Sequence, residues 1–522
     1  MGPINRRDFL SATAAAPLAA AVPSAGLLRH AIPTASHDRI LLKTSFTQPL
    51  DKAPSLRVGG TRLAGTRTDT AGAFWSFDAR GLKPATSYEL QIHDHRGKPV
   101  SDAWQLRTLP HPDDPVSRFR LLIYTCAGGH DGMKTWDTSQ QYWVSLAHRR
   151  KLLLTGLAQR PDAVIANGDH IYWDLRFGRA SGRLPMGATD WAKEVMGGEF
   201  DRSIPVIGTA NEAKLIRASD PQIADLYGTI LRGVPSFFIQ DDHDYFENDE
   251  AIPAGISFPP DDFMLRLARS VQSMYYPEFL PDAGRPAGLA ATGALSECYG
   301  TLRFGKLAEI LMYDCRRFMT LKGPHGGFVP DTVEAWLTRR MKASPAEHVV
   351  NVPSTPIGWT AGKWGEWYPD LLGDDGRVGV SKPKYFWQEG WKLQHDRLVA
   401  ACSAMERIPL FISGDLHALG HGAIEQCGKL DLRRNPVHTV LSGPISTGPR
   451  GWPSAARGTP PQVAFGLGVV EDLKPLENNG FTIVDFLPGR IEFQMYKWKM
   501  DQPESLLADL RPFHKFELKR LI

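Results

Sequence analysis

Four apolar runs, each stopped by residues of metal-ligand type, constrain this chain more than any other feature. The clearest is Ala163 to Ala166, short and containing β-branched residues, which reads as a buried strand. It stops at Asn167-Gly168, where glycine permits a sharp turn, and Asp169 follows at once. A carboxylate there sits at the carboxyl end of a strand, where ligands bind in layered α/β folds. Tyr172 lies three residues on, close enough to share one metal with Asp169. A phenolate in that role suits a hard, highly charged ion such as ferric iron better than zinc. Taken alone, Gly-Asp-x-x-Tyr also fits a turn aspartate beside a packed tyrosine.

The other three runs shift that balance. Ile123-Tyr124-Thr125-Cys126 ends a strand upstream, and Phe237-Phe238-Ile239-Gln240-Asp241-Asp242-His243-Asp244 ends one downstream. Phe411-Ile412-Ser413-Gly414-Asp415-Leu416-His417 ends a fourth. Ligand types at successive strand ends, in this order, resemble the pattern of a dinuclear metallophosphoesterase.

Composition bounds the remaining choices. A chain of 522 residues at 42% hydrophobic buries a large core and predicts two domains. Its formal charge of +3 is close to balance, with no long basic block, so there is no nucleic-acid-binding signature. The first 26 residues read as a targeting segment. Arg6-Arg7-Asp8-Phe9-Leu10 gives the twin-arginine pattern, followed by an alanine-rich run to Val22. That run is too short and too weakly apolar for a membrane span, and no transmembrane span is expected in the mature chain. Export through the twin-arginine machinery predicts a periplasmic or secreted protein that acquires its metal while folded in the cytoplasm. Five cysteines, at 126, 298, 315, 402 and 427, leave one unpaired if the others form two bridges. Cys126 is the one assigned to chemistry.

After a short linker, residues 37–109 predict a small all-β domain. Trp75 and Phe77 alternate with polar residues, as do Tyr88, Leu90 and Ile92. Leu82-Lys83-Pro84-Ala85-Thr86-Ser87-Tyr88 resembles the tyrosine corner of fibronectin type III and immunoglobulin-like sandwiches. Residues 110–115 read as a linker, and 116–522 as the main domain. There the pattern predicts a helix over 136–158 with Trp143, Leu146, Leu153 and Leu157 on one face, closing a β-α-β unit. A glycine-rich insertion over 176–210, a helix over 211–232 and a hairpin of 297–304 with 307–314 come next. Residues 355–391 hold five of the fourteen tryptophans, as a pocket wall or as core packing. A helix near 388–406 and a closing hairpin of Phe481–Phe486 with Arg490–Tyr496 complete the chain.

Taken together, the chain resembles the alkaline phosphatase D (PhoD-like) family of exported metallophosphoesterases. Twin-arginine signal, small β domain, Cys126, Gly-Asp-x-x-Tyr, Asp-Asp-His-Asp and Gly-Asp-x-His occur in that family's order. The resemblance implies a four-layer α/β/β/α sandwich for the main domain; patterning alone supports a layered α/β fold with added hairpins. It also implies that Cys126, Asp169, Tyr172 and His417 hold a first metal, with Asp169 bridging to a second held by Asp242 and Asp415. The plainer reading of Cys126 is a small buried hydrophobe. Asp242 and Asp415 stand where the wider superfamily has neutral ligands. The second metal would therefore see mostly charged oxygens, which favours a hard ion such as calcium over zinc. Family precedent is ferric iron with calcium, and other divalent metals fit the same donors.

The implied reaction is hydrolysis of a phosphate ester outside the cytoplasm by in-line attack of a metal-activated hydroxide. His243 follows Asp242 and is placed to act as general acid or charge stabiliser, with Asp244 orienting it. Arg316 is read either as a bidentate fork on phosphate or as an ion pair with Asp314. His421 reads as a loop histidine, and His130 and His170 as supporting residues at most. The alternatives are a phosphodiesterase or phospholipase on the same site, and an exported binding protein on a degenerate scaffold. Against the last, none of the expected ligand positions is empty.

Overall fold

Two β-sheets pack face to face through a core of aliphatic and aromatic side chains, and the order of strands in them decides where chemistry can occur. The computed structural model describes residues 26–131, 141–173, 197–245, 260–280, 299–320, 326–361, 389–456 and 458–520. The twin-arginine segment, much of the glycine-rich insertion and most of the tryptophan-rich stretch lie outside these residues.

The N-terminal part carries β1 (Leu28–Ala35), β2 (Arg39–Phe46), β3 (Ser55–Val58), β4 (Thr61–Ala64), β5 (Thr66–Arg67), β6 (Phe74–Arg80), β7 (Ser87–His93) and β8 (Trp104–Arg107). They form two four-stranded sheets, ordered β1-β2-β6-β5 and β4-β3-β7-β8. Inward residues Leu42, Leu56, Trp75, Phe77, Leu90 and Ile92 make their shared core. The tyrosine corner is present: Tyr88 Oη accepts the backbone N–H of Lys83 at 2.8 Å. The stretch expected as a linker before residue 37 is instead strand β1. It pairs antiparallel with β2, and its Ala31 N–H donates to Gly228 O at 2.9 Å.

The larger part carries β9 (Phe119–Tyr124), α1 (Leu146–Ala158), β10 (Ala163–Asn167), α2 (Ala210–Ser219), β11 (Ser236–Ile239), α3 (Asp262–Tyr275), β12 (Tyr299–Phe304), β13 (Ala308–Tyr313), α4 (Asp331–Ala343) and β14 (His348–Pro353). Then come β15 (Trp359–Thr360), α5 (Glu389–Ser403), β16 (Leu410–Ser413), β17 (Leu419–Cys427), β18 (Leu430–Asp431) and β19 (Val437–Ser442). The chain closes with β20 (Gln462–Val463), β21 (Leu467–Leu476), β22 (Asn479–Leu487), β23 (Arg490–Trp498) and β24 (His514–Lys519).

One sheet is ordered β11-β10-β9-β22-β23-β24; the other runs β12-β13-β14-β16-β19-β17-β18, with β21 also on β17. Between them, Leu121, Ile123, Ile165 and Ile239 meet Ile310, Val350, Leu410 and Ile412. The alternate residues of β9, β10 and β11, Leu122, Val164 and Phe238, pack outward with Leu152 of α1 and Leu267 of α3. On the other side Leu311, Val349 and Phe411 pack with Trp336 of α4 and Leu398 of α5. The result is the expected four-layer α/β/β/α sandwich. Because β9, β10 and β11 are mutually parallel, as are β13, β14, β16 and β19, their carboxyl ends share one rim.

Three local expectations change. The helix over 136–158 begins at Leu146, where Ser145 caps it by accepting from His148 N; Trp143 lies before it and bridges Thr447. The helix over 211–232 is regular to Ser219, becomes a π turn over Asp220–Ala224 and ends near Gly228. Pro221 explains the change, since it lacks the N–H that would continue the α ladder. His421 lies in β17 and is 3% exposed, not in a loop. Cys126, Cys315, Cys402 and Cys427 are free thiols, and Cys298 lies outside the described residues.

Candidate metal centre

Backbone geometry marks the rim before any side chain is considered. Among the described residues six non-glycine positions have left-handed φ, and four are Cys126 (49°), Asp169 (57°), Asp415 (63°) and His417 (48°). Such a conformation costs a non-glycine residue about 1–3 kcal/mol, and the fold tolerates it four times at one place. The loops are also pressed together. Gly168 has φ 83°, and a Cβ there would lie 2.5 Å from that of Asp241. A Cβ at Gly414 would collide with Thr125. The glycines of Asn-Gly-Asp and Ser-Gly-Asp thus let the strand ends approach until their acidic residues meet.

The first cluster gathers donors from three strand ends. Cys126 Sγ lies 3.2 Å from Asp169 Oδ2, and Tyr172 Oη donates to the same oxygen at 3.2 Å. Tyr172 Oη is 3.3 Å from His417 Nε2, while His417 Nδ1 lies 2.7 Å from Gly451 O. That carbonyl makes Nδ1 the protonated nitrogen and turns Nε2 toward the cluster. The Tyr172 ring is held between Trp143 and His243, with centroids 4.2 Å away on each side.

Two further sets overlap with the first. Ligand atoms of Asp169, Asp242 and His243 lie within 4.8 Å of one another, as do those of Asp241, Asp242 and Asp415. Asp169 therefore belongs to the Cys126 set and to the Asp242 set, the arrangement that a shared carboxylate requires. Arg316, 1% exposed, donates through Nε to Asp241 Oδ1 at 2.7 Å, and its Nη2 lies 3.5 Å from Asp415 Oδ2. These are not the partners expected from sequence. Asp314 accepts the backbone N–H of Arg316 at 2.6 Å.

The donors fit cations by their electrostatics. Asp169 Oδ1 and Asp241 Oδ2 are buried and have no hydrogen-bond partner. Burial, and then the Asp242 charge, hold the Asp169 carboxyl well above the usual carboxylate range. Burial raises Asp241 likewise, against the opposing Arg316 guanidinium. The Cys126 thiol is pushed up by burial and then by Asp169. Positive charge among these groups relieves all three penalties.

Two residues hold the loops that carry these donors. Asp244, expected to orient His243, directs its carboxylate at backbone instead, accepting the N–H groups of Asp169 (3.0 Å), His170 (3.0 Å) and Asp241 (2.9 Å). It fixes the two acidic loops in register. Gln222, which sequence patterning does not single out, is fully buried in the π turn. Its Oε1 accepts from Gly129 N at 2.7 Å and Tyr172 N at 2.9 Å, and its Nε2 lies 2.9 Å from His130 Nε2. It joins the Cys126 loop to the Tyr172 loop. Nothing in its local sequence points to this except Pro221, whereas Asp241 is visible as the first acid of Asp-Asp-His-Asp. His170 supports from behind, with Nε2 2.8 Å from Ile239 O.

The α/β/β/α sandwich thus gathers these donors at the carboxyl ends of its parallel strands. Among solved structures the chain is similar to PhoD, with a TM-score of 0.61 and 14% identity over 96% of this chain and 92% of that one. It is also similar to the purple acid phosphatase PPD1 from yellow lupin (Lupinus luteus) seeds, with a TM-score of 0.56 and 12% identity over 95% of this chain and 75% of that one. At such identities the likeness shows a shared fold. No protein-family model and no curated protein matches the chain.

Proposed function

We propose that this chain is an exported, metal-dependent phosphate ester hydrolase of the alkaline phosphatase D type. The observation that carries the reading is Asp169, a buried carboxylate common to two donor sets of different chemistry. Cys126, Asp169, Tyr172 and His417 supply sulfur, oxygen and nitrogen, including a phenolate that suits ferric iron. Asp169, Asp242 and Asp415 supply charged oxygens that suit calcium, with Asp241 beside them. Bound there, such cations neutralise phosphate charge and acidify water, the chemistry that ester hydrolysis needs.

The chain's own residues do the rest. His243, 7% exposed and against the Tyr172 ring, faces the centre and is placed to protonate a leaving oxygen. Asp244 and Gln222 keep the donor loops aligned. Arg316 balances the acidic side, where its guanidinium can also meet a phosphate oxygen. Export rests on the Arg6-Arg7 motif. No helix among the described residues is long and apolar enough to cross a membrane.

Initial rates on p-nitrophenyl phosphate and bis-p-nitrophenyl phosphate test the reading, with Asp169→Asn as control. Hydrolysis by the native protein that is lost in the control supports it, and the faster ester fixes monoester or diester preference. Negligible, equal rates for both proteins with metals bound would overturn it.

A further inference from the structure

Away from the rim, α5 and the last residue of β17 bring a nitrogen, an oxygen and a sulfur donor together. His395 Nδ1 lies 2.9 Å from Asp396 Oδ1, and Cys427 Sγ lies 3.1 Å from the same oxygen. One ligand atom from each of the three lies within 4.8 Å of the others. His395 and Cys427 are buried, whereas the side chains of Asp396 and Lys392 are 23% and 29% exposed. The cluster therefore has a buried floor and a mouth open to solvent. A cation already stands at that mouth, since Lys392 Nζ lies 3.1 Å from both Asp396 oxygens.

We propose that His395, Asp396 and Cys427 form a second, mononuclear site for a borderline-soft divalent transition cation such as zinc, tying α5 to the end of β17. The donor types select the ion: thiolate and imidazole suit zinc, whereas calcium and magnesium take oxygen ligands. Zinc bonds of about 2.0–2.3 Å set tetrahedral donors about 3.3–3.6 Å apart, so the observed pairs need to open by only a few tenths of an ångström. His395 and Cys427 converge on one oxygen of Asp396, as Cys126 and Tyr172 converge on one oxygen of Asp169 at the rim.

Entry of the ion is balanced. Cys427 releases its thiol proton to solvent and gives a sulfur lone pair to the cation. Neutral His395 shifts its ring proton from Nδ1, where it faces Asp396, to Nε2, so that Nδ1 can ligate; Lys392 moves into water with its ammonium intact. A thiolate ligand makes zinc binding release about one proton per ion.

Equilibrium dialysis of the full chain against zinc, followed by elemental analysis, tests the site. Three proteins are compared: native, Cys427→Ser and Asp169→Asn. Cys427→Ser is expected to bind one zinc fewer per chain with its p-nitrophenyl phosphate rate unchanged. Asp169→Asn is expected to lose metal at the rim, so the two centres are read separately. A gain-of-affinity variant guards against misfolding: Lys392→Met keeps all three donors, removes the competing ammonium, and is expected to tighten zinc at this site at least about tenfold. Equal zinc counts in native and Cys427→Ser, or unchanged affinity in Lys392→Met, would show a hydrogen-bonded network that binds no metal.

Discussion

Cys126 Sγ and Asp169 Oδ2 meet at 3.2 Å, although 43 positions separate them in the chain. Both residues hold left-handed backbone to do so. If that strained contact exists to hold a cation, Cys126→Ser keeps the fold but weakens the first metal. Its metal content after dialysis is expected to fall at least ~10-fold below native, as is its hydrolytic rate. Native metal content in Cys126→Ser would make Cys126 a packed core residue only.

Gln222 offers a test of alignment as distinct from ligation. Its carbonyl oxygen bonds the N–H groups of Gly129 and Tyr172. Gln222→Ala leaves both amides buried without that acceptor, and metal affinity is expected to fall about 10–100-fold. Metal titration of the variant checks this; unchanged affinity would separate the π turn from the centre.

The histidine on β17 predicts a pH dependence. His421 stacks on Phe516 at 3.7 Å and faces His438 and His514, and its Nδ1 is 3.4 Å from Asp472 Oδ2. Burial, and then the charges of His438 and His514, lower it from 6.5 to about 3. The unfolded chain therefore takes up a proton below pH ~6.5 that the folded one refuses, and stability falls as pH falls through that window. At pH 5 the loss from this residue is at most about 2 kcal/mol. Urea midpoints at pH 7 and pH 5 should differ more for native protein than for His421→Phe; identical differences would contradict the assignment.

In the N-terminal sheets, Tyr88→Phe removes the Tyr88 Oη that accepts Lys83 N–H. A loss of about 1 kcal/mol is expected in denaturant unfolding of that part. No change would mean that water replaces the bond fully.

Much of this is legible in the chain. The strand ends before Cys126, Asp169, Asp242 and Asp415 can be read because buried parallel strands are short apolar runs, and the residues just beyond each run must turn. The hairpin around Gly305-Lys306 and the closing hairpin around Pro488-Gly489 are legible from turn chemistry. The features that escape depend on long-range packing. Strand β1 is recognisable only once β2 and Gly228 give its backbone partners. The Arg316 pairing with Asp241 spans 75 positions, so its neighbour Asp314 is the natural but incomplete choice. Asp244 looks like a catalytic partner because sequence places it beside His243, whereas the turn after Asp242 points its carboxylate at the backbone of another loop.

The most direct test of the central claim is anomalous X-ray diffraction from crystals of the full chain produced with its own N-terminal segment. Two metal peaks are expected at the rim. One lies ~2.0–2.6 Å from donor atoms of Cys126, Asp169, Tyr172 and His417, and the other at similar distances from Asp169, Asp242 and Asp415. Metal-replete crystals with no peak within ~3 Å of Asp169 would contradict it.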